Sequence, residues 1–202
     1  MNLRGKDELL TARLCTSDND IIMISRQGMS IRFPAKEITP HSRTAGGVRG
    51  MRLRQGDKLV SMDVVRDDAK LFVLSLRGYG KLTALKNYKT QSRGGIGLLT
   101  FRVMPKTGQV AAASVVDETQ QLYLVSEQAQ VLRTSLSEIS SRGRVTQGVI
   151  VFKPDAGDSV AAIACVGQIK DLPRANTGSE DATDDHKDTQ AKKHDPKPSS
   201  GT

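Results

Sequence analysis

Lysine and arginine recur along this 202-residue chain in three groups whose spacing could hold a row of phosphates. The first group is Lys36, Arg43, Arg49, Arg52 and Arg54. The second is Lys81, Lys86, Lys89, Arg93 and Arg102, and the third is Arg133, Arg142, Arg144 and Lys153. Cations spread along a rim match an extended polyphosphate better than a point ligand. The alternative is that such charges merely solvate loops. Other chemistry finds less support. Gly46-Gly47-Val48-Arg49-Gly50 and Gly94-Gly95-Ile96-Gly97 lack the Gly-Lys-Ser/Thr ending of a phosphate loop and open no helix. They read as tight turns needing positive φ, although their amides, flanked by Arg49 or Arg93, could still meet a phosphate. Asp67-Asp68 and Asp117-Glu118 fall at the same turn of two stretches and read as solvated turn residues rather than a catalytic pair. His41 is the one histidine before residue 168, so neither a triad nor a metal cluster is expected. Cys15 and Cys165 sit 150 residues apart in apolar patterns and read as two buried free thiols. No cofactor and no catalytic residue are expected.

The elements that must position these cations are repeated. Ile21-Ile22-Met23-Ile24-Ser25-Arg26-Gln27-Gly28-Met29-Ser30-Ile31-Arg32-Phe33 has the pattern of two strands and a turn. The pattern returns over Leu71 to Thr83 and again over Leu122 to Thr134, with Ser25, Ser75 and Ser126 spaced by 50 and 51 residues. After each hairpin comes a polar loop, then a glycine (Gly50, Gly97, Gly148) opening an apolar run, then a closing strand at Leu59 to Val65, Val110 to Val116 or Val160 to Val166. The segments are short, β-branched and bounded by turn formers, and no helical period is sustained over eleven residues. One such unit cannot bury both of its faces, so neighbours must stack. The expectation is an all-β, propeller-like array of three four-stranded antiparallel blades at about 8–65, 66–116 and 117–167.

Charge separates the two ends. The whole chain carries +8, but residues 168–202 hold six Lys/Arg against seven Asp/Glu, so the first 167 carry +9. The segment 168–202 is poor in apolar residues and rich in Pro, Ser, Thr, Asp and Lys, and is expected to be a disordered polar tail. A basic folded part attracts polyanions. Aromatic residues are only 3%, with no Trp, and Tyr79, Tyr88 and Tyr123 share no repeat position. That disfavours single strands, which need stacking platforms, and favours double-stranded DNA held by its backbone. Apolar runs are too short to span a bilayer and no signal-peptide pattern opens the chain, so a cytoplasmic location away from membranes is expected. The candidate contacts are Arg43, Arg49, Arg52, Lys81, Lys86, Lys89, Arg93, Arg133, Arg142 and Arg144. Arg49, Arg93 and Arg144 each precede a strand-opening glycine and are expected to line up along one curved edge.

Three stretches carry a family resemblance: Gly78-Tyr79-Gly80-Lys81; Thr44-Ala45-Gly46-Gly47-Val48-Arg49-Gly50; and Ser137-Glu138-Ile139-Ser140 with Gly143-Arg144-Val145-Thr146-Gln147-Gly148-Val149-Ile150. They resemble the C-terminal domain of bacterial DNA gyrase A, over nearly all of 1–167 and in blade order. The equivalent domain of the A-type protein of topoisomerase IV is less similar around Thr146 to Ile150. The resemblance implies a β-pinwheel whose basic outer rim wraps DNA and sets the direction of supercoiling, with this chain matching the last three blades. It implies as partners the remaining parts of gyrase A together with gyrase B, which would carry cleavage and ATP hydrolysis. Gln91-Ser92-Arg93-Gly94-Gly95-Ile96-Gly97 matches five of the seven positions of the family's Gln-Arg-Arg-Gly-Gly-Lys-Gly box but lacks one of its two arginines and its lysine. The box belongs to the first blade, so its wrapping role is not carried over. The rival reading is a protein-interaction propeller fragment with no DNA role.

Overall fold

The computed structural model describes Leu3, Gly5 and residues 7–167; the expected tail at 168–202 lies outside the described residues. Three antiparallel hairpins organise the chain: β1 (Asp20–Ser25) with β2 (Met29–Pro34), β4 (Lys70–Ser75) with β5 (Tyr79–Ala84), and β8 (Gln121–Ser126) with β9 (Val131–Ser135). The serines that mark the repeat brace the turns. Ser25, Ser75 and Ser126 are buried, and their hydroxyls accept the backbone N–H of Met29, Tyr79 and Gln130 at 3.3, 3.1 and 3.0 Å. Their carbonyls accept from Gly28, Gly78 and Ala129, residues held at φ of 80, 75 and 64°. A turn closed by a left-handed residue matches the twist of the strands it joins.

The closing strands β3 (Leu59–Val64), β7 (Val110–Val116) and β11 (Val160–Val166) pair with the first strand of their own hairpin. The fourth strand comes from elsewhere. β6 (Leu98–Leu99), from the second repeat, pairs with β2 through Met29 and Ser30. β10 (Val149–Ile150), from the third, pairs with β5 through Tyr79 and Gly80. The sheets therefore run β3-β1-β2-β6, β10-β5-β4-β7 and β11-β8-β9. The expected all-β, propeller-like array of antiparallel sheets is what the chain forms; the expected count of four strands holds for two of the three sheets among the described residues. Neither four-stranded sheet is built from one stretch, and among the described residues the third sheet has three strands.

Strand alternation explains the stacking. On β4, Leu71 and Val73 face the first sheet, where they pack with Ile22, Ile24, Phe101, Val110 and Val115. Phe72 and Leu74 face the third sheet and pack with Leu122, Leu124, Leu136 and Phe152. Both faces of β4 are thus buried, which is why its sequence is almost continuously apolar. The first sheet's far face gathers Ile21, Met29, Ile31, Phe33 and Met51. Single 3-10 turns at Ala35–Glu37, Leu85–Asn87 and Leu136–Glu138 follow the hairpins; among the described residues these are the helical segments. Each turn sinks its first residue (Ala35, Leu85 or Leu136) into a core.

Candidate nucleic-acid interface

After each 3-10 turn a crossing loop runs to the recurring glycine, over 38–50, 88–97 and 139–148; β6 and β10 follow the second and third at once, whereas the strand after the first is β3 at Leu59. The second and third loops carry the chain from their own repeat to the edge of the preceding sheet. Glycine makes the landing possible. Gly97 and Gly148 adopt φ of 82 and 75°, and a Cβ there would lie 2.2 Å from the Ser30 carbonyl oxygen or 2.4 Å from that of Gly80. Gly94 and Gly95 stand in a turn, as their composition predicts, with the Gly94 N–H bonded to Gly50 O and the Gly95 carbonyl accepting from Arg52; Gly46 to Gly50 is irregular loop, in which Gly47 takes a φ of 72°.

The ten candidate cations divide into three kinds. Arg43, Arg49, Arg52, Lys86, Lys89, Arg133 and Arg142 are exposed. Arg43, Arg49, Lys89 and Arg142 sit on crossing loops, Arg52 just beyond one, and Lys86 on the 3-10 turn before one. Arg133 instead lies on β9, its guanidinium carbon 5.9 Å from the centre of the Tyr123 ring. Arg93 and Arg144 are half-buried, and each gives one guanidinium N–H to a carbonyl of the preceding repeat. Arg93 donates to Arg49 O at 2.6 Å and Arg144 to Leu99 O at 2.5 Å. They stand at equivalent positions, four residues before Gly97 and Gly148, whereas Arg49 directly precedes Gly50. The expected row of three is thus a pair plus an arginine at another register.

Lys81 is the third kind, and it corrects the sequence reading. It has no exposed surface. Its ammonium donates to Gly143 O at 2.7 Å, Arg144 O at 2.7 Å and Thr146 Oγ1 at 3.1 Å, and sits 6.0 Å from the centre of the Phe101 ring. A phosphate cannot reach it. Burial, aided by the charge of Arg144, brings its pKa down to about 7. The sequence does carry a signal: Lys81 occupies the register of Ile31 and Leu132, an inward-facing position of the hairpin.

The ion pairs among the described residues are Arg13–Asp63, Arg32–Asp20, Arg66–Asp117 and Lys70–Glu118. None includes a candidate cation. Asp117 and Glu118 are therefore paired, not simply solvated turn residues. Arg66–Asp117 and Lys70–Glu118 join the corners of successive repeats, a role invisible without the fold. Cys15 is exposed, which corrects the expectation of a buried thiol; Cys165 is half-buried and its thiol is pushed up to about 11, chiefly by burial. Among the described residues there is no cluster of three potential metal-binding side chains and no helix long and apolar enough to cross a membrane.

Stacked antiparallel sheets that exchange their outer strands define a propeller-type repeat protein. The family model described as "DNA gyrase C-terminal domain, beta-propeller" matches residues 19–66, 69–117 and 120–167. The chain belongs to that family. The DNA gyrase A protein of Mycobacterium leprae is 40% identical over 166 residues, covering 81% of this chain and 13% of the relative. That of Dehalogenimonas lykanthroporepellens is 41% identical over 170 residues, covering 81% of this chain and 21% of the relative. The chain thus spans about a fifth or less of these relatives. A solved DNA gyrase A C-terminal domain superposes with a TM-score of 0.77 at 28% identity, covering 82% of this chain and 57% of that one. A DNA topoisomerase IV C-terminal domain superposes at 0.76 with 21% identity, over 82% of this chain and 52% of that one, a likeness of fold alone.

Proposed function

We propose that this chain binds double-stranded DNA without base specificity and wraps it, as part of gyrase A in a type IIA topoisomerase that supercoils DNA. The observation that carries the reading is the set of seven exposed candidate cations, six of them on or beside crossing loops, with no carboxylate paired to any among the described residues. Unneutralised cations release counterions when they meet phosphates, and that release drives binding. Bending a 20–30 base-pair site costs on the order of 1–6 kcal/mol, which several such contacts must offset. The remaining parts of gyrase A together with gyrase B are the partners, and they perform cleavage and ATP hydrolysis in the bacterial cytoplasm at the nucleoid. This chain itself acts as a binding module and not as a catalyst.

The test is a gel-shift titration against salt with duplex and single-stranded DNA. The triple variant Arg49→Ala, Arg52→Ala, Arg142→Ala stays folded, because these side chains are exposed and stand outside the buried cores. It binds every duplex more weakly, and its log-affinity against log-salt slope is shallower by up to about 3. Unchanged affinity and slope in a folded triple variant would return the question to a protein partner. One observation favours that second reading: β9 has no neighbour on its outer edge among the described residues, and Val131 on it is 65% exposed.

A further inference from the structure

Lys81 does work that a rim lysine could not do. The first two sheets each receive a crossing loop, and the loops are held differently. Under the second loop, Glu37 Oε2 accepts the Arg93 N–H at 2.7 Å and Gly50 O accepts that of Gly94 at 2.7 Å, while Ile31 lies beneath as an apolar floor. Under the third loop the floor position holds Lys81, and its three donors are all used on Gly143, Arg144 and Thr146. The buried amine, together with the Thr83 hydroxyl bonded to Arg142 O at 3.0 Å and the Leu82 backbone bonded to Ser140 O and Arg142 N–H, closes the segment from which Arg142 and Arg144 project. Removing the amine leaves the Arg144 carbonyl without its donor and the Gly143 carbonyl with the Thr146 hydroxyl at 2.9 Å as its partner, which favours lifting the loop into water.

We propose that Lys81 is a positioning residue for the DNA interface, clamping the third crossing loop so that Arg142 and Arg144 are presented in register. The proposal rests on the DNA-binding reading above. Three oxygen acceptors favour the ammonium, but burial and Arg144 oppose it and bring proton release to about 7. Opposite it on β4 stands Val73, beside it the Phe101 ring, and above it Thr146; these elements also carry Lys70, Arg102 and Arg142, and Arg144 is the charge that acts on the ammonium. A lysine freed by loop opening keeps its proton to about 10.5. Protonation therefore favours the open loop, and the clamp tightens as pH rises through about 7.

The experiment uses the full chain, its Lys81→Ile variant, and hydrogen exchange at two amides that report closure: Arg142 N–H, bonded to Leu82 O, and Arg102 N–H, bonded to Thr146 O. Isoleucine is chosen because Ile31 fills the same register in the first sheet. After correction for intrinsic exchange, wild-type protection at both amides rises between about pH 6 and 8.5; in Lys81→Ile it is lower and flat. Duplex affinity at pH 7.5 falls roughly three- to tenfold in the variant. Protection equal to wild type in a folded variant, or undiminished DNA affinity in the variant, overturns the proposal. Should Lys81→Ile not fold, Thr146→Val, which removes one acceptor, must lower the protection of both amides. A wild-type chain that binds no duplex at all sinks the DNA-binding reading instead, while the exchange data still judge the clamp itself.

Discussion

The second and third sheets start from the same hairpin and end differently. Both have a buried serine bracing the turn, a left-handed residue closing it and a closing strand on the inner side. On the second sheet the outer edge is covered: Val151 and Phe152 donate to Gly78 O at 2.9 and 3.2 Å, as Thr100 and Phe101 do to Gly28 O on the first sheet at 2.8 and 3.1 Å. On the third sheet no described residue covers β9, and the turn residue is Ala129 instead of glycine. The requirement for glycine thus has two sources. Left-handed backbone is uncomfortable for any side chain, yet alanine tolerates it at a cost of roughly 1–2 kcal/mol. The close approach of the next repeat is what alanine cannot tolerate: a Cβ at Gly28 would lie 2.2 Å from Phe101 O, and at Gly78 only 1.7 Å from Phe152 O.

Gly78→Ala breaks the comparison most severely. The added methyl cannot coexist with the Phe152 carbonyl, so β10 must leave the edge of β5, taking Phe152 out of the second core. The loss of two backbone bonds together with the strained turn predicts a destabilisation of about 2–4 kcal/mol, read by urea unfolding. Fast amide exchange at Val151 and Phe152 accompanies it. A variant within about 0.5 kcal/mol of wild type would show that the edge contact carries little of the fold.

A smaller, pH-dependent difference separates the same two sheets at their floor residues, Lys81 in the second and Leu132 in the third. Unfolded lysine holds its proton to about 10.5, whereas folded Lys81 releases it at about 7. Between those values the unfolded chain binds more protons, so unfolding free energy rises with pH, and below the window this contribution is flat. Denaturant melts from pH 6 to 9 show the rise in the wild-type chain and lack the Lys81 contribution in Lys81→Leu, which copies the third sheet. Melts of the two proteins that remain parallel would show that Lys81 keeps its charge throughout.

Much of this architecture is legible in the sequence. Short β-branched runs bounded by turn formers, the 50- and 51-residue spacing of Ser25, Ser75 and Ser126, and the recurring Gly50, Gly97 and Gly148 locate the hairpins, the closing strands and the loops. The exchange of outer strands is not legible. A two-residue strand such as Leu98–Leu99 pairs as well with its own hairpin as with a neighbour's on pattern alone, and only three-dimensional stacking decides. The site is legible in part. Loop cations are easily found by type, but whether a cation faces solvent depends on the register of its strand. Lys81 misleads because its charge is more conspicuous than its alignment with Ile31 and Leu132. Arg93 and Arg144 stand out by type and position, while their bonds to Arg49 O and Leu99 O depend on carbonyl directions that no sequence pattern reports.

The smallest effect, and the sharpest test of the comparison, is Ala129→Gly. In the folded state glycine relieves the left-handed strain at φ 64°. In the unfolded state it adds conformational freedom that opposes this by about 0.4–1 kcal/mol. The net change is a stabilisation of about 0–1 kcal/mol, opposite in sign to Gly78→Ala at the equivalent position. The second consequence concerns the edge. At Gly28 and Gly78 the absent Cβ is what admits the following repeat, so Ala129 keeps a strand of that geometry off β9 even though Val131 is open to solvent. Unpaired edges invite association, and a side chain that obstructs docking is one way to limit it. A peptide with the sequence of residues 148–153 is therefore expected to shift the Gln130 and Val131 amide signals of Ala129→Gly at millimolar concentration and to leave those of the wild-type chain in place. Equal shifts in both proteins would mean that the methyl group does not guard the edge, and the glycines of the first two sheets would then owe their place to backbone conformation alone.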